Sequence, residues 1–177
     1  TFFTAREFLQ EHEAEHLRFY YASMLSKTMS DIDLNFNEFR NKINNELVAN
    51  IGNFCYRVLN FLNRNFDGKI ENIDSNKELK GEIGRQIKNI EENYYNLKFN
   101  EAVKGILHIS SLGNKYFQDN EPWKLIKENR EKAHEILGLS LNIVKELSIL
   151  INPILPNFSL NLQNQLNLKN LKWNDIG

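Results

Sequence analysis

Residues 35–65 read NFNEFRNKINNELVANIGNFCYRVLNFLNRN, and the spacing of their apolar side chains decides the kind of fold. Phe36, Phe39, Ile43, Leu47, Ile51, Cys55, Val58 and Leu62 recur at intervals of three or four. At about 100° per residue such a series gathers on one face of an α-helix, whereas a half-buried strand alternates every second residue. The stretch therefore predicts a long helix over about 35–65. Asn65-Phe66-Asp67-Gly68 ends it, with Gly68 able to take the left-handed stop.

The same periodicity continues in both directions. Upstream, Arg6 to Gln10 and then Ala14 to Leu25 form a short helical unit, with Leu17, Tyr20, Tyr21, Met24 and Leu25 on one side. Lys27 to Asp33 is polar and reads as a connector. Downstream, Ser75 is a candidate N-cap for a helix over about 76–97, carrying Leu79, Ile83, Ile87, Ile90, Tyr94 and Leu97. A further helix covers about 100–117. After Asp119-Asn120-Glu121, Pro122 suits the first position of a helix. That helical stretch reaches about residue 151, with a possible break near Asn129. Pro153 and Pro156 redirect the chain into a short helix over about 159–166, and residues 167–177 are a polar tail containing Trp173. With only three Pro and eight Gly in 177 residues, and almost no alternating stretch, the class is all-α: an antiparallel helical bundle preceded by a short helical connector. The expected division is 1–35 for the connector and 36–177 for the bundle.

Composition narrows the chemistry. Apolar residues make up 41%, and a chain of this length buries about 70% of its unfolded surface, so no metal or disulfide staple is required. The single Cys55 has no partner for an internal disulfide, which points to a reducing, cytoplasmic setting. No apolar run reaches the roughly 18 residues that span a bilayer, so no membrane partner is expected. Twenty-two basic against 23 acidic residues argue against sequence-independent binding to DNA or RNA, which draws on excess Lys and Arg. Any nucleic-acid contact has to be local and directed.

Enzymatic motifs are missing: there is no glycine-rich phosphate loop and no third ligand beside His12 and His16. Glu11, Glu13 and Glu15 read as a solvated turn, and Cys55 as a small core residue. The informative side chains lie off the apolar stripe. Asn53 falls about 160° around the helix from Ile51 and has Arg57 one turn further on. An amide beside a guanidinium offers planar donors and acceptors suited to base edges. From spacing alone, a solvated helix face is the simpler account of the pair. Trp123 follows Pro122 at a helix start in a polar setting, where an indole can serve as a stacking platform or simply cap the bundle.

These residues also carry a family resemblance. Asp31-Ile32-Asp33-Leu34-Asn35-Phe36, Asn45-Glu46-Leu47-Val48 and Gly52-Asn53-Phe54-Cys55-Tyr56-Arg57 resemble the start of the methionyl-tRNA synthetase anticodon-binding domain. Asn114-Lys115-Tyr116-Phe117 with Glu121-Pro122-Trp123 looks like its second signature, and Leu17-Arg18-Phe19-Tyr20-Tyr21-Ala22 is similar to the segment joining the catalytic fold to the bundle. The match covers about residues 1–155. It implies recognition of the CAU anticodon of methionine tRNA, with Trp123 stacking on the first anticodon base and Asn53 and Arg57 bonding to base edges. The implied partners are that anticodon loop and the catalytic domain of a methionine–tRNA ligase. No cofactor is expected here, since ATP and methionine belong to the catalytic domain, which the family places ahead of Thr1. The start directly after the family's lysine loop marks the chain as a piece of a longer enzyme. One departure is Ala49, where the family often has Asn; Asn50 stands beside it. Two other readings stay open: a helical protein-interaction module, docking through residues 76–97 or the tail around Trp173, and the anticodon domain of a related class I synthetase.

Overall fold

The computed structural model describes residues 4–25, 34–70 and 76–177. The polar connector 27–33, the Asp31-Ile32-Asp33 portion of the first signature and the proposed cap Ser75 lie outside the described residues. Helices α1 (Ala5–Glu11) and α2 (Ala14–Met24) come first, followed by α3 (Phe36–Lys42), a π-helical segment (Ile43–Gly52) and α4 (Asn53–Phe66) in one uninterrupted rod. Then follow α5 (Lys77–Tyr95), α6 (Phe99–Asp119), α7 (Pro122–Glu128), α8 (Arg130–Leu150), α9 (Pro156–Gln165) and a closing 3-10 turn (Trp173–Asp175). No strand occurs among the described residues, so the all-α expectation holds.

The wide turn of the rod has a sequence cause. Phe39, Ile43, Leu47, Ile51 and Cys55 are spaced by four throughout, which overshoots a whole α-turn by roughly 40° at each step. The broader i→i+5 coil takes more than four residues per turn, so its steps of four fall short, and this offsets the drift of the flanking α-turns. All five are buried, as are Val58 and Leu62, and the three-residue step from Cys55 to Val58 falls where ordinary α-helix has resumed. Phe36 departs from the expected stripe, at 42% exposed: it is the first residue of the rod, beyond the end of the packed face.

Local signals set most ends. Asn35 accepts from the N–H groups of Asn37 and Glu38, and Asn76, in place of Ser75, accepts from Leu79 N to cap α5. Asp67 and then Gly68 take left-handed conformations after α4. Helix α5 stops at Tyr95, and Leu97, at φ 57°, is the exposed corner of the turn into α6, not a member of the buried row. Leu25, just past α2, is likewise exposed. The break near Asn129 is real: its extended backbone separates α7 from α8, and its side chain caps α8 through Lys132 N.

Helix α8 is the axis of the molecule. From Ile136 to Leu150 it is buried almost all round, with only Asn142 and Lys145 half-exposed, which is the pattern of a helix enclosed by others. Helices α4, α6, α7 and α9 pack around it, while α5 and α2 pack on α6. Helix α6 comes so close to its neighbours that two side chains are dispensed with. A Cβ on Gly105 would lie 2.6 Å from Ile90 Cγ1, and one on Gly113 would lie 2.5 Å from Phe54 Cζ.

The first helical unit is fastened to the far end of the bundle. Arg18 Nε and Nη2 donate to the carbonyls of Ile154 (2.8 Å) and Pro153 (2.9 Å). Glu15, expected to be a solvated residue, instead accepts from Asn157 N (2.6 Å) and Phe158 N (3.0 Å). Those are otherwise unpaired donors of the first turn of α9, so a carboxylate from α2 caps a helix more than a hundred residues away.

Candidate nucleic-acid interface

The rod presents Asn53 at the start of α4 with Arg57 one turn on. Asn53 is exposed, and among the described residues its carboxamide has no hydrogen-bond partner. Its neighbours Ile51, Phe54 and Cys55 are buried, which fixes the opposite side of the helix as the outward one. Arg57 is half-buried and reaches across to α6, where Nη1 donates to Asn114 Oδ1 and Nη2 to Gln118 Oε1, each at 2.7 Å.

That reach places the guanidinium over two aromatic rings. Its Cζ lies 5.5 Å from the centroid of Phe117 and 5.7 Å from that of Trp123, within cation–π range. Phe117 is buried, and Trp123 is half-buried at 6.0 Å from it in a tilted arrangement. Phe61, one turn beyond Arg57, meets Phe117 edge-on at 5.8 Å and anchors the aromatic layer from the α4 side.

A sharp corner brings Trp123 to this place. Glu121 adopts φ 41°, ψ 55°, a left-handed conformation that costs a non-glycine residue on the order of 1–3 kcal/mol. Pro122 then opens α7 in the fixed geometry a helix start favours, with its ring buried. The indole one residue later is set at the junction of α6, α7 and α4. Glu121 is paired with Lys124 at 2.8 Å, so its charge is met locally.

Of the residues singled out from sequence, Arg57 and Trp123 are in contact, and Asn53 shares the exposed side of the same helix as Arg57. Two members of the constellation were not named as contacts. Asn114 belongs to the second signature, whereas for Gln118 the one sequence signal is its spacing: amides four apart on α6 share one helical face. Asn50 does not join them: its Nδ2 donates to Ser111 Oγ (3.0 Å) and Leu107 O (3.4 Å), tying the rod to α6 one turn earlier. Ala49 is exposed.

The remaining chemical candidates resolve differently. Cys55 is buried, and burial pushes its thiol up to about 12. His12 lies among rings, 4.9 Å from Phe8 and 5.7 Å from Phe39, as a packing residue. Among the described residues no three His, Cys, Asp or Glu side chains gather into a metal site, and no helix is long and apolar enough to cross a membrane.

Comparison with known proteins places the chain in a family. The family described as the anticodon binding domain of methionyl tRNA ligase matches residues 68–176, and the class I tRNA synthetase family (M) matches residues 1–59. The methionine–tRNA ligase of Thermococcus kodakarensis is 39% identical over 170 residues, covering 94% of this chain but 23% of that protein. The Pyrococcus horikoshii enzyme is 38% identical with the same coverage, so the chain spans about a quarter of the length of these relatives. The crystal structure of ligand-free Mycobacterium tuberculosis methionyl-tRNA synthetase superposes with a TM-score of 0.83 over 92% of this chain and 35% of that one; at 18% identity the likeness is one of fold. Asn53 and Arg57 fall within the match over 1–59 and Trp123 within that over 68–176, so the three candidates are drawn from both. On sequence and fold together, the chain belongs to the methionyl-tRNA ligase anticodon-binding family.

Proposed function

We propose that this chain reads the CAU anticodon of methionine tRNA on behalf of a cytoplasmic methionine–tRNA ligase. In that enzyme a catalytic domain joined through residues 1–35 binds ATP and methionine and carries out aminoacylation, while residues 36–177 select the tRNA. The observation that carries the reading is the Arg57 guanidinium lying against Trp123, with Asn53 exposed one turn away on the same helix. Trp123 stacks on the first anticodon base, while Arg57 donates to the edges of the bases beside it and Asn53 both donates and accepts there.

Near-neutral charge fits a division of labour. Phosphate contacts supply affinity without sequence information, whereas base contacts supply selectivity. A domain with 22 basic and 23 acidic residues is suited to the second task, leaving much of the first to the larger enzyme.

The test is fluorescence anisotropy with a labelled CAU stem-loop and loops altered at the first anticodon base. The 177-residue chain prefers CAU, and Trp123→Ala loses about 1–3 kcal/mol of that binding. Equal affinity for every loop would rule out base reading. Preference for a different first base would assign the chain to another tRNA.

A further inference from the structure

We infer that Asn114 and Gln118 are positioning residues of this site: their neutral amide oxygens hold Arg57 against Trp123 and leave its positive charge available to RNA. The inference rests on the anticodon-reading function proposed above.

The geometry is specific. Each oxygen engages a different terminal nitrogen of the guanidinium at 2.7 Å, and the two acceptors sit one turn apart on α6. Two fixed acceptors on one rigid helix define the plane of the fork, which a single contact leaves free to pivot. Most of the fork's N–H groups remain for a ligand. The arrangement depends on the close crossing next door: Gly113 admits Phe54, which brings Asn114 and Gln118 into range of Arg57 three residues along α4.

The choice of acceptor matters as much as its place. A carboxylate would hold a guanidinium more strongly than an amide does, and the chain has 23 acidic residues to draw on. Among the described residues, however, no carboxylate forms an ion pair with Arg57. An acidic partner would neutralise the charge before RNA arrived, and RNA would then have to compete with it. Amides provide orientation without that competition.

The experiment compares Arg57→Ala, Asn114→Ala, Gln118→Ala and Gln118→Glu in the full 177-residue chain, measuring affinity for the CAU loop, affinity for a first-base variant, and the thermal midpoint. The alanine variants at 114 and 118 should each weaken CAU binding by about tenfold, the scale of one hydrogen bond to a charged group, and narrow the preference for CAU. Gln118→Glu keeps an acceptor oxygen and melts no lower than Gln118→Ala, yet binds RNA more weakly than the parent, by a margin that shrinks as salt is raised. Gln118 is exposed, so its two variants carry the test even if Asn114→Ala unfolds early. Parent-like binding by the amide variants alongside a loss in Arg57→Ala would overturn the positioning role and leave base reading intact. Parent-like binding by Gln118→Glu would overturn the requirement for neutrality. If Arg57→Ala itself kept full affinity and preference, base reading would fall as well.

Discussion

At Arg57 one side chain performs two tasks that a lysine could not combine. Its planar fork spans Asn114 and Gln118 while its face covers an indole ring, whereas an ammonium is a compact point charge without a plane to share. Arg57→Lys should therefore lose about 1–3 kcal/mol of CAU binding despite keeping the charge, as read by anisotropy. Cys55, two residues earlier, obeys a different constraint. Burial raises its thiol from 9.0 to about 12, so the protonated form is favoured in the folded state. Its stabilising contribution is present below pH 9 and declines as pH rises toward about 12, when an unfolded thiol ionises and the buried one resists. In a thiol-reagent assay at pH 8, Cys55 should react only after denaturant unfolds the chain.

Among elements, the helices were legible because their apolar spacing is regular and their ends carry Asn, Gly and Pro signals. The π-helical segment was harder to see. Spacings of four pass for ordinary α periodicity, and the signal of a widened coil is their unbroken run from Phe39 to Cys55. Phe36, Leu25 and Leu97 are exposed despite their apolar register for one reason: each sits at or just past a helix end, where periodicity persists in sequence after the packed face has stopped. Glu15 illustrates a different limit, since no local pattern reveals that a charged residue on α2 will cap α9. Helix α6 owes its approach to Gly113, and Gly113→Ala drives a methyl group toward the Phe54 ring. The overpacking strain is about 1–3 kcal/mol, only partly offset by the roughly 1 kcal/mol that alanine gains in helix propensity. Both a lower thermal midpoint and weaker RNA binding are expected, because the displaced helix also carries Asn114 and Gln118.

At the scale of the molecule, Asn53 and Arg57 stand out as candidates by their angular position, and Trp123 by its place after proline. The meeting of Arg57 with Trp123 could not be read from local sequence, since it depends on the crossing of α4 and α6 and on the left-handed corner at Glu121. The tail closes over the bundle in a way composition also concealed. Trp173 meets Tyr94 edge-on at 6.1 Å, and Gly177 N donates to the buried Glu146 Oε1 at 3.1 Å. Desolvation raises Glu146, outweighing the lowering effects of the Gly177 N–H and Lys145. Its contribution is therefore complete below the unfolded carboxyl value of 4.5 and is lost as pH rises through the folded one. Glu146→Gln, which keeps an acceptor oxygen, should raise the thermal midpoint at pH 8 more than at pH 4.

The fastening of α2 gives the molecule a mechanical property. Arg18 grips the carbonyls at the α8–α9 corner while Glu15 grips the amides just beyond it, so the joint resists both pulling and twisting. Any body attached rigidly ahead of α2 would inherit a fixed bearing on the α8–α9 corner and, through the axial helix, on the face that carries Trp123.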